Sequence, residues 1–317
     1  MPATVRVTPM RTPAPIAAGD LRSDLDLGYD ELLGLLSLTA KVKDSPARYA
    51  KSLSGCYLSL LFEKPSLRTR LTFELAIKQL GGDAVVSIGA IGGREPLKDI
   101  ARNLDRWTRG IVARTFSQQT IDDLAVWSKV PVINALSDMY HPCQALADIF
   151  TLQEQFGDLR GLKLAFVGDG NNVAHSLMLN AVRLGMDFTL ATPKGYEANS
   201  EVLAKAAQHA SMTGARLQVI NDPVEAASGA DAIYTDVWTS MGQEEQTARR
   251  LSDFAGFQVN EILFDKAKPH AAFMHCLPAH RGEEVTDEVI ESPGSVVFDQ
   301  AENRLHVQKA LILMLLS

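Results

Sequence analysis

Three cysteines in 317 residues (Cys56, Cys143 and Cys276) cannot all pair within one chain, and none belongs to a CxxC pair. A disulfide framework and a structural zinc site are excluded on that count, and a reducing cytoplasm is the expected setting. Long apolar runs are also missing. The stretch Ala310 to Leu316 falls far short of the ~20 residues needed to span a bilayer, so a soluble protein with no membrane role is expected. Positive charge is in deficit, with 31 Lys and Arg against 38 Asp and Glu, a net −7. Broad binding to nucleic acid needs a surplus of positive field that this chain lacks, although a local basic pocket for a small anion stays open. The opening MPATVRVTPMRTPAPIAAGD has no apolar core and is broken by prolines, so it reads as an extended leader rather than a signal peptide. What is present is ordinary: 46% hydrophobic and 22% charged residues exclude a disordered chain. At roughly 100–200 residues per domain, the length suggests two domains.

Hydrophobic periodicity orders the chain. A first helix is expected from about Gly28 to Lys43, and a buried strand over Gly55 to Phe62. A helix over Leu71 to Leu80 stops at Gly81-Gly82. Strands at 83–88, 110–113 and 130–134 alternate with helices at 96–108 and 121–129. One long helix, His141 to Phe156, then ends at Gly157 and the pattern restarts. Strands at 162–167, 187–191, 216–220, 232–235 and 271–275 alternate with helices at 172–184, 200–211 and 223–229, and a last helix covers 303–316. Such alternation predicts an α/β protein with parallel sheets covered on both faces. The domain boundary is expected within or just beyond the 141–156 helix, giving domains 1–150 and 151–302, with the last helix packing back on the first.

Five segments carry candidate chemistry. Phe62-Glu63-Lys64-Pro65-Ser66-Leu67-Arg68-Thr69-Arg70 lies where a strand meets a helix. Free N–H groups, a hydroxyl and a guanidinium there form a phosphate cradle; the alternative is Ser66 capping a helix beside two solvated arginines. His141 and Gln144 open a helix three residues apart and can polarise a carbonyl, unless the histidine is merely structural. Gly168-Asp169-Gly170-Asn171-Asn172-Val173 has the look of a dinucleotide turn. Val173 replaces the third small residue, however, and no acid follows at the next strand end to hold a ribose. A glycine turn that lets Asn172 reach a ligand fits better. Asp236 and Ser240, on a loop with Trp238, Met241 and Gly242, suit an ammonium group, and such a loop can close over a substrate. Finally, Cys276 stands at a strand end before Leu277-Pro278. Adjacent strand residues face opposite ways, so His275 and Cys276 are not expected to share a metal site.

In this order, from about Leu27 to the C-terminus, the five segments resemble the aspartate/ornithine carbamoyltransferase family. SxRTR at 66–70, HPxQxLAD at 141–148 and Asp299-Gln300-Ala301-Glu302-Asn303-Arg304 match its carbamoyl phosphate motifs. Asp236 with Ser240-Met241-Gly242, and His275-Cys276-Leu277-Pro278, match the ornithine side. The resemblance implies two α/β domains with the active site in the cleft between them, completed in a homotrimer or a multiple of trimers. It implies carbamoyl transfer from carbamoyl phosphate to L-ornithine, giving citrulline and phosphate, with no metal and no organic cofactor. Residue by residue it implies phosphate contacts from Ser66, Arg68, Thr69 and the backbone of Leu67. Arg114, His141, Gln144 and Arg304 would meet phosphate and carbamoyl oxygens. Asn172, Asp236, Ser240 and Met241 would hold the amino-acid end, with Cys276 and Leu277 beside the reacting groups. Two positions depart from the family pattern. Leu67 stands where threonine is usual, as in relatives acting on N-acylated ornithine. Ala90 stands where a glutamine normally reaches the next subunit's carbamoyl phosphate, so weaker binding of that substrate is expected. An N-acylated acceptor and a non-catalytic paralogue are therefore the competing readings.

Overall fold

The computed structural model describes residues 15–64, 66–239 and 244–316; the leader reading for residues 1–14 lies outside them. Helix α1 (Tyr29–Asp44) leads into a four-stranded sheet made of β1 (Tyr57–Phe62), β2 (Asp83–Ile88), β3 (Gly110–Arg114) and β4 (Val132–Leu136). All pairings are parallel, in the order β2-β1-β3-β4. Helices α2 (Arg68–Gln79), α3 (Leu97–Trp107) and α4 (Gln118–Trp127) are its crossovers. Helix α5 (Pro142–Phe156) leads to a second sheet of β5 (Lys163–Val167), β6 (Asp187–Ala191), β7 (Leu217–Ile220), β8 (Ala232–Thr235) and β9 (Ala272–His275). It is also wholly parallel, in the order β7-β6-β5-β8-β9. Helices α6 (Asn172–Arg183), α7 (Ser200–Thr213) and α8 (Pro223–Ala227) connect its strands, followed by the short α9 (Thr247–Asp253), α10 (Glu261–Phe264) and α11 (Asp287–Ile290). Helix α12 (Val297–Leu316) closes the chain and packs against α1, α2 and α5.

Local chemistry explains the punctuation. Pro142 occupies the first turn of α5, where its missing N–H costs nothing, and Gly157 ends that helix at φ 77°. The side chains of Asn171, Asn199 and Asp222 accept backbone N–H bonds at the starts of α6, α7 and α8. The last helix begins six residues earlier than its periodicity predicts. Ser295-Val296-Val297-Phe298 reads as β-branched and aromatic, but buried Val297 and the buried side chains of Gln300 and Asn303 hold it helical. One apolar cluster runs without a break from Leu58, Leu60 and Phe62 through α5, α6 and α12 to Leu164, Phe166 and Tyr234, so the two sheets share a core. Among the described residues no helix is long and apolar enough to cross a membrane.

Candidate active site

In parallel sheets every strand delivers its C-terminal end to the same edge, and there loops converge. The ends of β1, β3 and β4 face those of β5, β8 and β9 across a cavity of about 850 Å³. Ser66, Leu67, Arg68 and Thr69 enter it from the β1–α2 turn, and Arg114 from the end of β3. A register shift between Ala113 and Arg114 re-aims that arginine, as bulges do. His141 and Gln144 come from the start of α5, and Arg304 comes from α12.

One end of the cavity is cationic. The buried Arg304 guanidinium donates to Gln144 Oε1 (2.8 Å) and to Thr69 Oγ1 (2.7 Å). Arg114 Nη1 reaches Ser66 Oγ at 3.4 Å. Burial, then the neighbouring Arg304 and Arg68 charges, pull Arg114 down to about 10. Burial lowers Arg68 and Arg304 as well. Arg68 lowers both Arg114 and Arg304, and Arg304 lowers Arg114, so an anion placed among them would be favoured by all three. His141 sits among them, buried, and its Nδ1 has no partner within the described residues. Burial, then Arg304 and Arg114, hold it well below the usual histidine range, so the ring is neutral. Ser66 does not cap α2: that position is Leu67, with no side-chain bond, and Leu67 is itself 66% exposed.

The other end is acidic. Asp236, at the end of β8, accepts from Asn171 Nδ2 (2.8 Å) and from the Cys276 thiol (3.0 Å). Burial and this carboxylate push Cys276 well above the ordinary thiol value, so it stays a thiol. His275, unlike the expectation from strand alternation, is not remote from Cys276: ligand atoms of both lie within 4.8 Å of the Asp236 carboxylate. The strand ends at His275, and the chain turns at Leu277 with φ 58°, which breaks the alternation. Both ring nitrogens are nevertheless engaged. Leu277 N–H donates to Nδ1 (2.8 Å), which leaves Nε2–H for Glu284 (3.1 Å).

Residues 20–154 match the carbamoyl-P binding domain of aspartate/ornithine carbamoyltransferases, and residues 160–315 match their Asp/Orn binding domain. The chain belongs to the aspartate/ornithine carbamoyltransferase family. It is 52% identical to an ornithine carbamoyltransferase of Thermus thermophilus, over 94% of this chain and 96% of the relative. An ornithine carbamoyltransferase of Listeria innocua is 49% identical, over 94% and 95%. The solved ornithine carbamoyltransferase of Pyrococcus furiosus superposes with a TM-score of 0.93 at 46% identity, covering 96% of this chain and 98% of that one.

Against this family frame, every sequence-predicted site residue within the described set lines the one cavity, Asn172, Leu277 and Arg304 included. Ser240 and Met241 lie outside the described residues. Asn172 Nδ2 donates to Ser137 O (2.6 Å), a bond between the two halves. Other wall residues escaped the sequence reading. Asn171 orients Asp236, and its signal was present: an asparagine before a helix start has a spare amide once its oxygen caps. Buried Lys64 lies 4.4 Å over the Phe116 ring, and Arg250 pairs with Asp169 at 2.7 Å. Arg250 is far off in sequence, and nothing local announces its partner. Gly170 has a positional reason: a Cβ there would stand 2.3 Å from the Ala198 nitrogen.

Proposed function

We propose that the chain transfers the carbamoyl group of carbamoyl phosphate to the δ-amine of L-ornithine, giving L-citrulline and phosphate. One observation carries this reading: a single cavity has three arginines and a neutral histidine at one end, Asp236 at the other, and Cys276 and Leu277 between them. A dianion and an amino acid with two ammonium groups fit those ends respectively. Arg68, Arg114, Ser66, Thr69 and the Leu67 backbone hold the phosphate. Arg304 and His141 donate to the oxygens on which negative charge grows. Gln144 serves differently from the expectation. With its Nε2 spent on Asp148 (2.8 Å), it meets the cavity with an oxygen and accepts from the carbamoyl amino group. Asn172, Asp236, Ser240 and Met241 receive the α-carboxylate and α-ammonium, and Cys276 with Leu277 lies beside the δ-amine.

The δ-amine attacks as the free base. Its lone pair forms the C–N bond, the tetrahedral intermediate expels phosphate as the C–O bond breaks, and the amine proton leaves with the phosphate or to water. The arginines and His141 are fixed before reaction, so they stabilise that charge without reorganising. The experiment is citrulline formation from carbamoyl phosphate with ornithine, acetylornithine, succinylornithine and aspartate in parallel. Ornithine is expected to lead each of the others by at least about 10²-fold in kcat/KM, since a site built for an ammonium rejects its neutral analogue. Acetylornithine ahead of ornithine would transfer the reading to the acylated acceptor, in line with Leu67.

The working form is a cytoplasmic homotrimer, or a multiple of trimers, that binds neither nucleic acid nor membrane. The edge strand β2, with Val85 and Ile88 each about 60% exposed beside exposed Leu67, supports assembly on that face. Sedimentation at three times the 34.5 kDa chain mass tests it. Ala90 is exposed on the loop after β2 and offers no amide, so the Michaelis constant for carbamoyl phosphate should lie above the micromolar range.

A further inference from the structure

Behind the cationic end lies a fully buried carboxylate that the reaction itself does not touch. Asp148 Oδ1 accepts from Gln144 Nε2 and from Gln300 Nε2, both at 2.8 Å, and Oδ2 accepts from the Tyr234 hydroxyl at 3.0 Å. The two glutamines then turn their oxygens outward. Gln144 Oε1 receives Arg304 Nη1 at 2.8 Å, and Gln300 Oε1 receives the His275 backbone N–H at 3.0 Å. From His275 the chain of bonds continues through Nδ1 to Leu277 N–H. Gln144 and Asp148 are one helical turn apart on α5, and Gln300 and Arg304 are one turn apart on α12, so each pair lies on one face of its helix.

We propose that Asp148 is a positioning residue for both substrates: as a group that only accepts, it dictates which way Gln144 and Gln300 face. Through them it sets where the Arg304 guanidinium and the His275–Leu277 turn stand. The inference rests on the carbamoyl-transfer reading above. Its logic is the polarity of hydrogen bonds. A glutamine amide can flip, but an ionised carboxylate takes only its NH2 end, which leaves the C=O end for the second partner. Asp148 accepts on both oxygens, the bonding of a carboxylate, and although burial pushes it up to about 6, Gln300, Gln144, Tyr234 and Arg304 oppose that rise. One arm ends at the phosphate side and the other at the amino-acid side, so the two arms can be cut separately.

Three variants test this, each with near-ultraviolet circular dichroism and a melting temperature to report folding. Asp148→Asn, with its NH2 group where Oδ1 stood, donates to both glutamines and turns them around, facing one NH2 group toward Arg304 and another toward the His275 N–H. The KM for carbamoyl phosphate should rise, and kcat fall, by at least about tenfold each. Adding Gln144→Glu rebuilds the arm to Arg304 alone with its direction reversed, the amide now donating and the new carboxylate accepting from Arg304. That double variant should return the KM for carbamoyl phosphate to within about threefold of wild type, which a merely structural role would not do. Gln300→Met cuts only the other arm. It should raise the KM for ornithine about tenfold while the KM for carbamoyl phosphate stays within about twofold. Asp148→Asn with all constants within about twofold of wild type would overturn the proposal, as would a double variant no better than the single. If Asp148→Asn does not fold, an unchanged ornithine KM in Gln300→Met overturns it. Should the wild type form no citrulline, carbamoyl transfer itself fails. Inorganic phosphate titrated calorimetrically into wild type and Asp148→Asn would still decide the Arg304 arm, with weaker binding to the variant expected.

Discussion

At the residue scale, the site separates charge from reactivity. Arg68 is half-buried among like charges, so its stabilising power is spent on whatever anion joins it. Arg68→Ala should lower turnover at saturating ornithine by at least ~10²-fold, the usual loss when one fixed donor to developing charge is removed; a steady-state assay with near-normal turnover would end the phosphate-clamp role. Cys276 makes the complementary case. Its thiol is kept protonated by burial and by Asp236, which it contacts at 3.0 Å. Asp236→Asn removes that negative charge, so the thiolate fraction at fixed pH must rise. Alkylation of Cys276 by iodoacetamide, followed by mass spectrometry, should then run about tenfold faster than in wild type. The residues that carry charge were legible because their types are rare and their order is informative: Arg68, His141, Asp236 and Cys276 each announce a chemistry. Asp148 was not: its work is to orient a neighbour, and an aspartate on a helix has many ordinary uses. Asn171 was legible in part, because the cap shows in the sequence but the partner of its spare amide, Asp236, does not.

At the scale of elements, the segment before α1 acts as a strap on α6. Asp24 is fully buried and accepts from Ser176 Oγ (2.5 Å) and Asn180 Nδ2 (2.7 Å), while Arg183 donates to the backbone carbonyls of Asp24 and Leu27. Ser176 Oγ also receives the His141 N–H at 2.9 Å, so the strap reaches the site. Burial raises Asp24 from 3.8 to about 6 against the pull of Ser176, Asn180 and Arg183. Its charge also raises Tyr140 and Cys143. The native state thus holds this proton more tightly than the unfolded chain. Its contribution to stability is full below the unfolded value and is lost as pH rises through about 6. Urea midpoints from about pH 4 to about pH 7 should fall more in wild type than in Asp24→Asn, and parallel curves would refute this. Elements with strong periodicity, such as β5, α6 and α7, were legible to within two residues. The short helices α9, α10 and α11 were not, because four to seven residues carry too little pattern to show a period.

At the scale of the whole molecule, two parallel sheets present their C-terminal edges to one another, and α5 and α12 run through the seam. The consequence is an order of events. Before any anion arrives, Arg68, Arg114 and Arg304 repel one another. The cationic side chain of ornithine meets that same field, so carbamoyl phosphate has to enter first and neutralise it. Its arrival favours ornithine twice, by removing the repulsion and by supplying the electrophile the amine is to face. Such coupling is reciprocal: whatever factor the phosphate donor adds to ornithine affinity, ornithine adds to the donor's. Calorimetry with a non-reactive phosphonate analogue of carbamoyl phosphate can close that cycle. L-Ornithine titrated alone should give no saturable heat, and with the analogue present it should bind. The analogue's own affinity should then improve by the same factor, about 5- to 150-fold. Equal ornithine binding with and without the analogue would mean that the three arginines do not govern entry. The anion pocket and the amino-acid pocket would then be neighbours in space without being coupled in energy.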